Sequence, residues 1–231
     1  MKLTILNPKN PGQAFPSVTK ALKEPDGLLA IGGCLSPKRL VNAYRQGIFP
    51  WYNPGEPILW WSPDPRLVLF PEKLLTSRSL RKTLRQTIFS VTIDQAFDGV
   101  IGSCAQPRPG QSGTWITKDI KQAYTELFRL GIAHSAEAWL NGKLVGGLYG
   151  VALGQVFFGE SMFHTETDAS KVAFTVLVDK LKSWGYRLVD CQVHSQHLVS
   201  LGAEEIPRDA FLLSLDQYCD LPASPFAWRP V

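Results

Sequence analysis

The 231-residue chain carries only four cysteines, Cys34, Cys104, Cys191 and Cys219, and no two of them form a C-x-x-C pair. Scattered thiols of this kind read as reduced, so no disulfide framework is expected. No apolar run approaches the length of a membrane span, and Met1 to Pro8 holds no stretch of signal-peptide character. The expectation is a cytoplasmic protein that does not enter a membrane. A Gly-x-Ser-x-Gly turn is missing, which leaves serine-hydrolase chemistry without its nucleophile. Cys191, His194 and His197 are spaced as C-x-x-H-x-x-H, yet a strand-to-loop run cannot easily aim all three at one ion, and no fourth ligand lies nearby. No metal is expected. An excess of one charge is lacking too: 24 Lys and Arg against 20 Asp and Glu leave a formal +4, which permits an anionic partner without demanding one.

What is present begins with 45% hydrophobic residues, enough to bury one sizeable core. The first sixty-odd residues are rich in Pro, Gly and Trp around one well-marked helix. Ser36 stands at its N-cap, Pro37 at its first position, Leu40, Val41 and Tyr44 on one face, and Gly47 at its stop. Residues 1–66 are expected to form a small N-terminal domain and residues 67–231 the main one.

The main part reads as a mixture of helices and strands. Leu67 to Phe70 and Ser90 to Ile93 read as strands, a helix opens at Thr117, and Asn141-Gly142 joins two strands as a hairpin. A third strand ends at Glu160, Asp168 caps a helix, and a last strand ends at Asp190. Strand, crossover helix and parallel strand usually lie side by side, so Glu160 and Asp190 should be neighbours. Gln192, two residues beyond Asp190, should point to the same side of its strand. Either acid alone is more simply a strand-end carboxylate; the pair with Gln192 reads as a site.

Helix, three antiparallel strands, helix and parallel strand is the order of the GNAT-type acyltransferase core. The expected fold is therefore α+β, a small N-terminal domain followed by a GNAT-like domain whose mixed sheet is flanked by helices. Acetyl-CoA enzymes of that kind cradle pyrophosphate on a Gly-rich turn opening the helix after the third strand. Here that position reads Met162-Phe163-His164-Thr165-Glu166-Thr167-Asp168, so no CoA is expected. Gly146-Gly147-Leu148-Tyr149-Gly150 lies inside a strand, where missing side chains would leave room for a ligand.

Other features point to RNA. Arg78, Arg81, Lys82 and Arg85 share one helix face, while Leu80, Leu84 and Ile88 recur on another. Lys38, Arg39 and Arg45 form a second basic cluster near Trp51. Such charge runs are usually solvated surface, but four cations with no acid among them match the net charge of the whole chain. Trp51 and Trp115 stand in turn-rich context, where exposed aromatics beside cations hold unpaired bases, whereas Trp60 and Trp61 read as packing.

Gly47-Ile48-Phe49-Pro50-Trp51, Leu59-Trp60-Trp61-Ser62-Pro63-Asp64-Pro65-Arg66, Gly113-Thr114-Trp115-Ile116-Thr117, Gly159-Glu160-Ser161-Met162-Phe163 and Asp190-Cys191-Gln192-Val193 together resemble the leucyl/phenylalanyl-tRNA protein transferase family over nearly the whole chain. The resemblance implies transfer of Leu or Phe, and less well Met, from aminoacyl-tRNA to an N-terminal Arg or Lys of a protein, marking it for N-end-rule degradation. It implies neither metal nor CoA, and a monomer is expected. It also implies that Trp51 and Trp115 hold the 3′-terminal adenosine and that Glu160, Asp190 and Gln192 handle the acceptor amine and the ester. Leu148, Phe157, Met162, Phe174 and Leu177 correspond to the pocket for the transferred side chain. Leu148 stands where Met is familiar and Phe174 where Leu is, which bears on the ranking of Leu, Phe and Met.

The aminolysis itself needs a neutral amine, and an α-amino group of ordinary pKa, about 7.7 to 8.0, is already partly neutral near pH 7. Asp190 is the first choice for accepting the proton or aligning the amine, with Gln192 fixing geometry and Glu160 holding the acceptor. Two other classes use part of the same residues. A glycoside hydrolase would combine two carboxylates with many Trp residues but leaves the basic helix unexplained. A non-catalytic RNA-binding module would need neither acid.

Overall fold

The computed structural model describes residues 3–107 and 114–229; Gly113, which opens the Gly113-Thr114-Trp115-Ile116-Thr117 motif, lies outside them. Two sheets share the chain. The first contains β1 (Thr4–Leu6), β2 (Leu28–Gly32), β3 (Phe49–Pro50) and β4 (Leu59–Trp61) in the order β1-β2-β4-β3. Between β2 and β3 runs α1 (Pro37–Arg45), begun as expected by Ser36, whose Oγ accepts the Arg39 backbone N–H at 3.4 Å. Trp60 is fully buried and donates its indole N–H to the Gly32 carbonyl at 2.8 Å, so it is a packing residue.

The second sheet contains β5 (Arg66–Leu69), β6 (Ser90–Ile93), β7 (Ala133–Leu140), β8 (Lys143–Leu153), β9 (Val156–His164), β10 (Leu188–Gln192) and β11 (Glu204–Ile206), ordered β11-β5-β10-β9-β8-β7-β6. Its helices are α2 (Arg78–Gln86), α3 (Phe97–Cys104), α4 (Lys118–Arg129), α5 (Ala169–Ser183), α6 (Gln196–Val199) and α7 (Arg208–Tyr218). β7, β8 and β9 are antiparallel, α5 crosses over, and β10 returns parallel to β9. The element order expected for the acyltransferase core is thus the order found. Asn141 and Gly142 turn the β7-β8 hairpin with φ of 51° and 74°, the positive pair such a turn requires.

Alternation along the strands sends side chains into two cores. Tyr149, Phe158, Leu188 and Val68 face α1, α3, α4 and α7 in a core continuous with Leu6, Leu29 and Trp60 of the first sheet. Leu148, Phe157, Val189 and Leu69 face α5 and Leu80 of α2 in the other.

Four expectations are corrected. β9 continues past Glu160 to His164. Asp168 occupies the N-cap position at φ 65° without capping; its carboxylate instead takes the Lys171 ammonium at 3.1 Å and the Thr83 hydroxyl at 3.4 Å. Ile88 lies past the left-handed Thr87 that ends α2 and is 49% exposed, so it does not extend the buried face. The glycine run leaves no room for a ligand: a Cβ on Gly146 would come within 2.7 Å of Ala169 Cβ, and one on Gly147 within 2.7 Å of the Ala136 carbonyl. Close approach of α5 and β7 accounts for these glycines.

Candidate active site

β9 and β10 pair at Leu188 with Val156, Val189 with Phe157 and Asp190 with Phe158. Beyond that point their ladder ends, and Glu160 and Gln192 stand at the parting. Both strands are irregular there. On β9 the register to β8 skips between Gly159 and Ser161, leaving Glu160 as the extra residue of a bulge. On β10 the register to β5 skips between Asp190 and Gln192, and Gln192 adopts φ 66°. Bulges re-aim side chains, and a non-glycine residue in the left-handed region is costly enough to need support.

The support is visible. Gln192 donates its backbone N–H to Asp190 Oδ1 at 2.9 Å and its side-chain N–H to Glu160 Oε1 at 2.8 Å. The three residues expected to cluster do so, through a bulge rather than by simple alternation.

Glu160, half-buried, is also bonded from the other side. The Tyr44 hydroxyl of α1 donates to Oε1 at 2.7 Å, the Tyr124 hydroxyl of α4 donates to Oε2 at 2.9 Å, and the two hydroxyls touch each other. Burial pushes the Glu160 carboxyl up to about 7 and the Asp190 charge adds to the rise, against the hydrogen bonds from Tyr44, Tyr124 and Gln192, which pull it down. Burial and then the Glu160 charge hold both tyrosines well above their ordinary value, so they remain donors.

Asp190 is fully buried, and Arg66 clamps it with Nε on Oδ1 at 2.8 Å and Nη2 on Oδ2 at 2.7 Å. This is the fork geometry that only arginine offers. Arg66 Nη1 also donates to the Gly47 carbonyl at 3.1 Å, and the guanidinium lies 4.8 Å from the Phe49 ring and 4.6 Å from the Phe211 ring. Both Asp190 oxygens are therefore occupied, by Arg66 and by the Gln192 backbone.

Leu148, Phe157, Phe174 and Leu177 are buried together on the α5 face, with half-buried Met162 packed at the edge. Trp51 is 45% exposed, and its neighbour Tyr52 reaches Thr117, two residues beyond half-buried Trp115, at 3.5 Å. The expected stacking pair thus sits on adjoining segments. Arg78, Arg81, Lys82 and Arg85 are all exposed on α2, and none is ion-paired with a described residue. Lys38 is exposed, and Arg45 pairs with Asp220. Arg39 is corrected: it is fully buried and holds the carbonyls of Gln13 at 2.7 Å and Asn10 at 2.5 Å, so its charge braces the fold and does not face solvent.

Sequence reasoning missed Arg66, Tyr44 and Tyr124. A buried tyrosine needs a partner for its hydroxyl, and that was the available signal; nothing local names a carboxylate 116 residues from Tyr44 and 36 from Tyr124.

The family model described as leucyl/phenylalanyl-tRNA protein transferase matches residues 68–216, and that of its N-terminal domain matches residues 33–64. The chain belongs to this family and is an aminoacyltransferase. Relatives called leucyl/phenylalanyl-tRNA protein transferase include one from Methylococcus capsulatus, 58% identical over 98% of this chain and 97% of its own. Another, from Nitrosomonas europaea, is 56% identical over 93% of this chain and 91% of its own. A solved GCN5-related N-acetyltransferase from Kribbella flavida is a distant likeness, with a TM-score of 0.37 and 12% identity over 73% of this chain and 60% of its own.

Proposed function

We propose that the protein transfers Leu or Phe, and less readily Met, from aminoacyl-tRNA to the N-terminal Arg or Lys of an acceptor protein, acting as a cytoplasmic monomer in N-end-rule degradation. Residues 1–66 and 67–231 serve as its N-terminal and catalytic domains. The acceptor's α-amine nitrogen bonds to the ester carbonyl carbon, the bond from that carbon to the ribose oxygen breaks, and the ribose oxygen leaves with a proton.

The observation that carries this reading is a carboxyl with its pKa near neutrality, held by donors from α1, α4 and β10 at the parting of two strands. Glu160 takes the proton that the acceptor ammonium must lose, because its proton affinity lies near the working pH. Asp190, already bonded on both oxygens, acts through Gln192 as a positioning residue. That same pairing with Arg66 speaks against a two-carboxylate glycosidase. Leu148, Phe157, Met162, Phe174 and Leu177 receive the aminoacyl side chain and offer it no polar partner. Trp51 and Trp115 hold the terminal adenosine, and the α2 cations, with Lys38 and Arg45, follow the phosphates.

The test uses labelled Leu-tRNA and a protein beginning with Arg. Label should move to that acceptor, should not move to one beginning with Met, and should vanish when the donor is first treated with ribonuclease. Absence of label on the Arg-initiated acceptor overturns the proposal.

A further inference from the structure

The C-terminal segment beyond α7 folds back over the α5 face of the sheet. Gln155 donates its side-chain N–H to the Pro222 carbonyl at 3.0 Å, and Ser224 donates its backbone N–H to the Trp184 carbonyl at 2.8 Å. The segment delivers Trp228, which adopts φ 59°, an outlying conformation for so bulky a residue. Interactions on several sides hold it there. Its ring lies parallel to His134 at 3.8 Å, packs at 5.0 Å against Trp184, and donates its indole N–H to the Tyr186 hydroxyl at 2.7 Å. His134 is itself fixed by Asp94, Nδ1 to Oδ2 at 2.7 Å. Strain maintained by this many neighbours is a reason to look for a role.

Trp228 also stacks on Phe157, with centroids 5.8 Å apart and planes 27° apart. The Phe157 ring is pressed against Gly150, where an added Cβ would come within 2.5 Å of its Cζ. Phe157 is thus held between a strand backbone and the Trp228 ring, and it is fully buried in the cluster with Leu148, Phe174 and Leu177.

We infer that Trp228 is a positioning residue for side-chain selection: by fixing Phe157 it sets the depth of the aminoacyl pocket and hence the preference between Leu and Phe. The inference rests on reading that cluster as the pocket. Without the Trp228 ring, Phe157 can tilt toward the vacated space, the pocket deepens, and the longer aromatic side chain gains more than the shorter aliphatic one. Apolar pockets discriminate by about tenfold or somewhat more per methylene, so a partial deepening should change selectivity by about threefold to tenfold.

Leu-tRNA and Phe-tRNA should compete in one tube for an Arg-initiated acceptor, so that the product ratio does not depend on the fraction of enzyme folded. Trp228→Ala should raise the Phe to Leu ratio about threefold to tenfold, and Trp228→Phe, which restores a ring, should return it toward wild type. Trp228→Leu reads the same ratio if the alanine variant does not fold. Phe157→Leu is run beside them. If it moves the ratio and the Trp228 variants do not, Trp228 only anchors the tail and the inference falls alone. If neither moves the ratio, the pocket reading falls and the inference falls with it.

Discussion

Replacing Glu160 by Gln removes one titrating group from the interior and keeps its shape, so the variant isolates the free energy of ionising that site. The folded carboxyl lies at about 7, against an ordinary value of 4.5. At about 1.4 kcal/mol per tenfold in proton affinity, this corresponds to about 3 kcal/mol. The sign follows from which state binds the proton more tightly. Glu160 has the higher pKa in the fold, so protonation favours folding. The wild type keeps this stabilisation in full below 4.5 and loses it as pH rises through about 7. Denaturant melts of both proteins from about pH 4 to about pH 8 should therefore show wild type losing about 3 kcal/mol relative to Glu160→Gln, with unchanged m-values. The transfer rate should move oppositely in wild type, rising through about pH 7 as Glu160 becomes able to accept a proton, and the variant should lack that inflection. A stability difference that stays flat across the range would refute the raised pKa and the role built on it.

Tyr44→Phe and Tyr124→Phe each delete a donor to the Glu160 carboxylate, so the midpoint of the pH-rate profile should move upward in each, as read in single-turnover transfer at saturating donor. Arg66→Leu leaves Asp190 buried without its partner and should cost about 3 to 5 kcal/mol by denaturant melting, most of it recovered when Asp190→Leu is added. Changing Arg78, Arg81, Lys82 and Arg85 to Gln should flatten the dependence of log K on log salt for aminoacyl-tRNA by up to roughly 0.7 to 0.9 for each phosphate that is no longer neutralised. An unchanged slope with a normal melting curve would make that helix face merely solvated.

Much of this was legible where chemistry is local. Ser36, Pro37 and Gly47 mark the ends of α1 because capping depends on residues a few positions apart, and Asn141-Gly142 marks its hairpin for the same reason. The neighbourhood of Glu160 and Asp190 followed from the handedness and adjacency of a strand, helix and strand unit. The bulges were not legible, because an extra residue in a strand is defined by its partner strand and leaves no period of its own. The same holds for Arg66, whose place beside two aromatic rings and Asp190 depends on three distant segments. Gly146 and Gly147 misled for a related reason: a missing side chain marks a close neighbour, and only packing reveals whether that neighbour is ligand or backbone.

The interlock of the two sheets has a consequence for descent. Tyr44 reaches Glu160 from the N-terminal segment, and the Gly47 carbonyl of that segment receives Arg66, which in turn grips Asp190. The segments matched by the two family models are therefore not interchangeable modules. A chimera joining one relative's N-terminal segment to another's sheet keeps these contacts only if a hydroxyl arrives at position 44 and the loop at Gly47 presents its carbonyl at the same height. A substitution in the N-terminal segment is accordingly felt at both carboxylates of the second sheet.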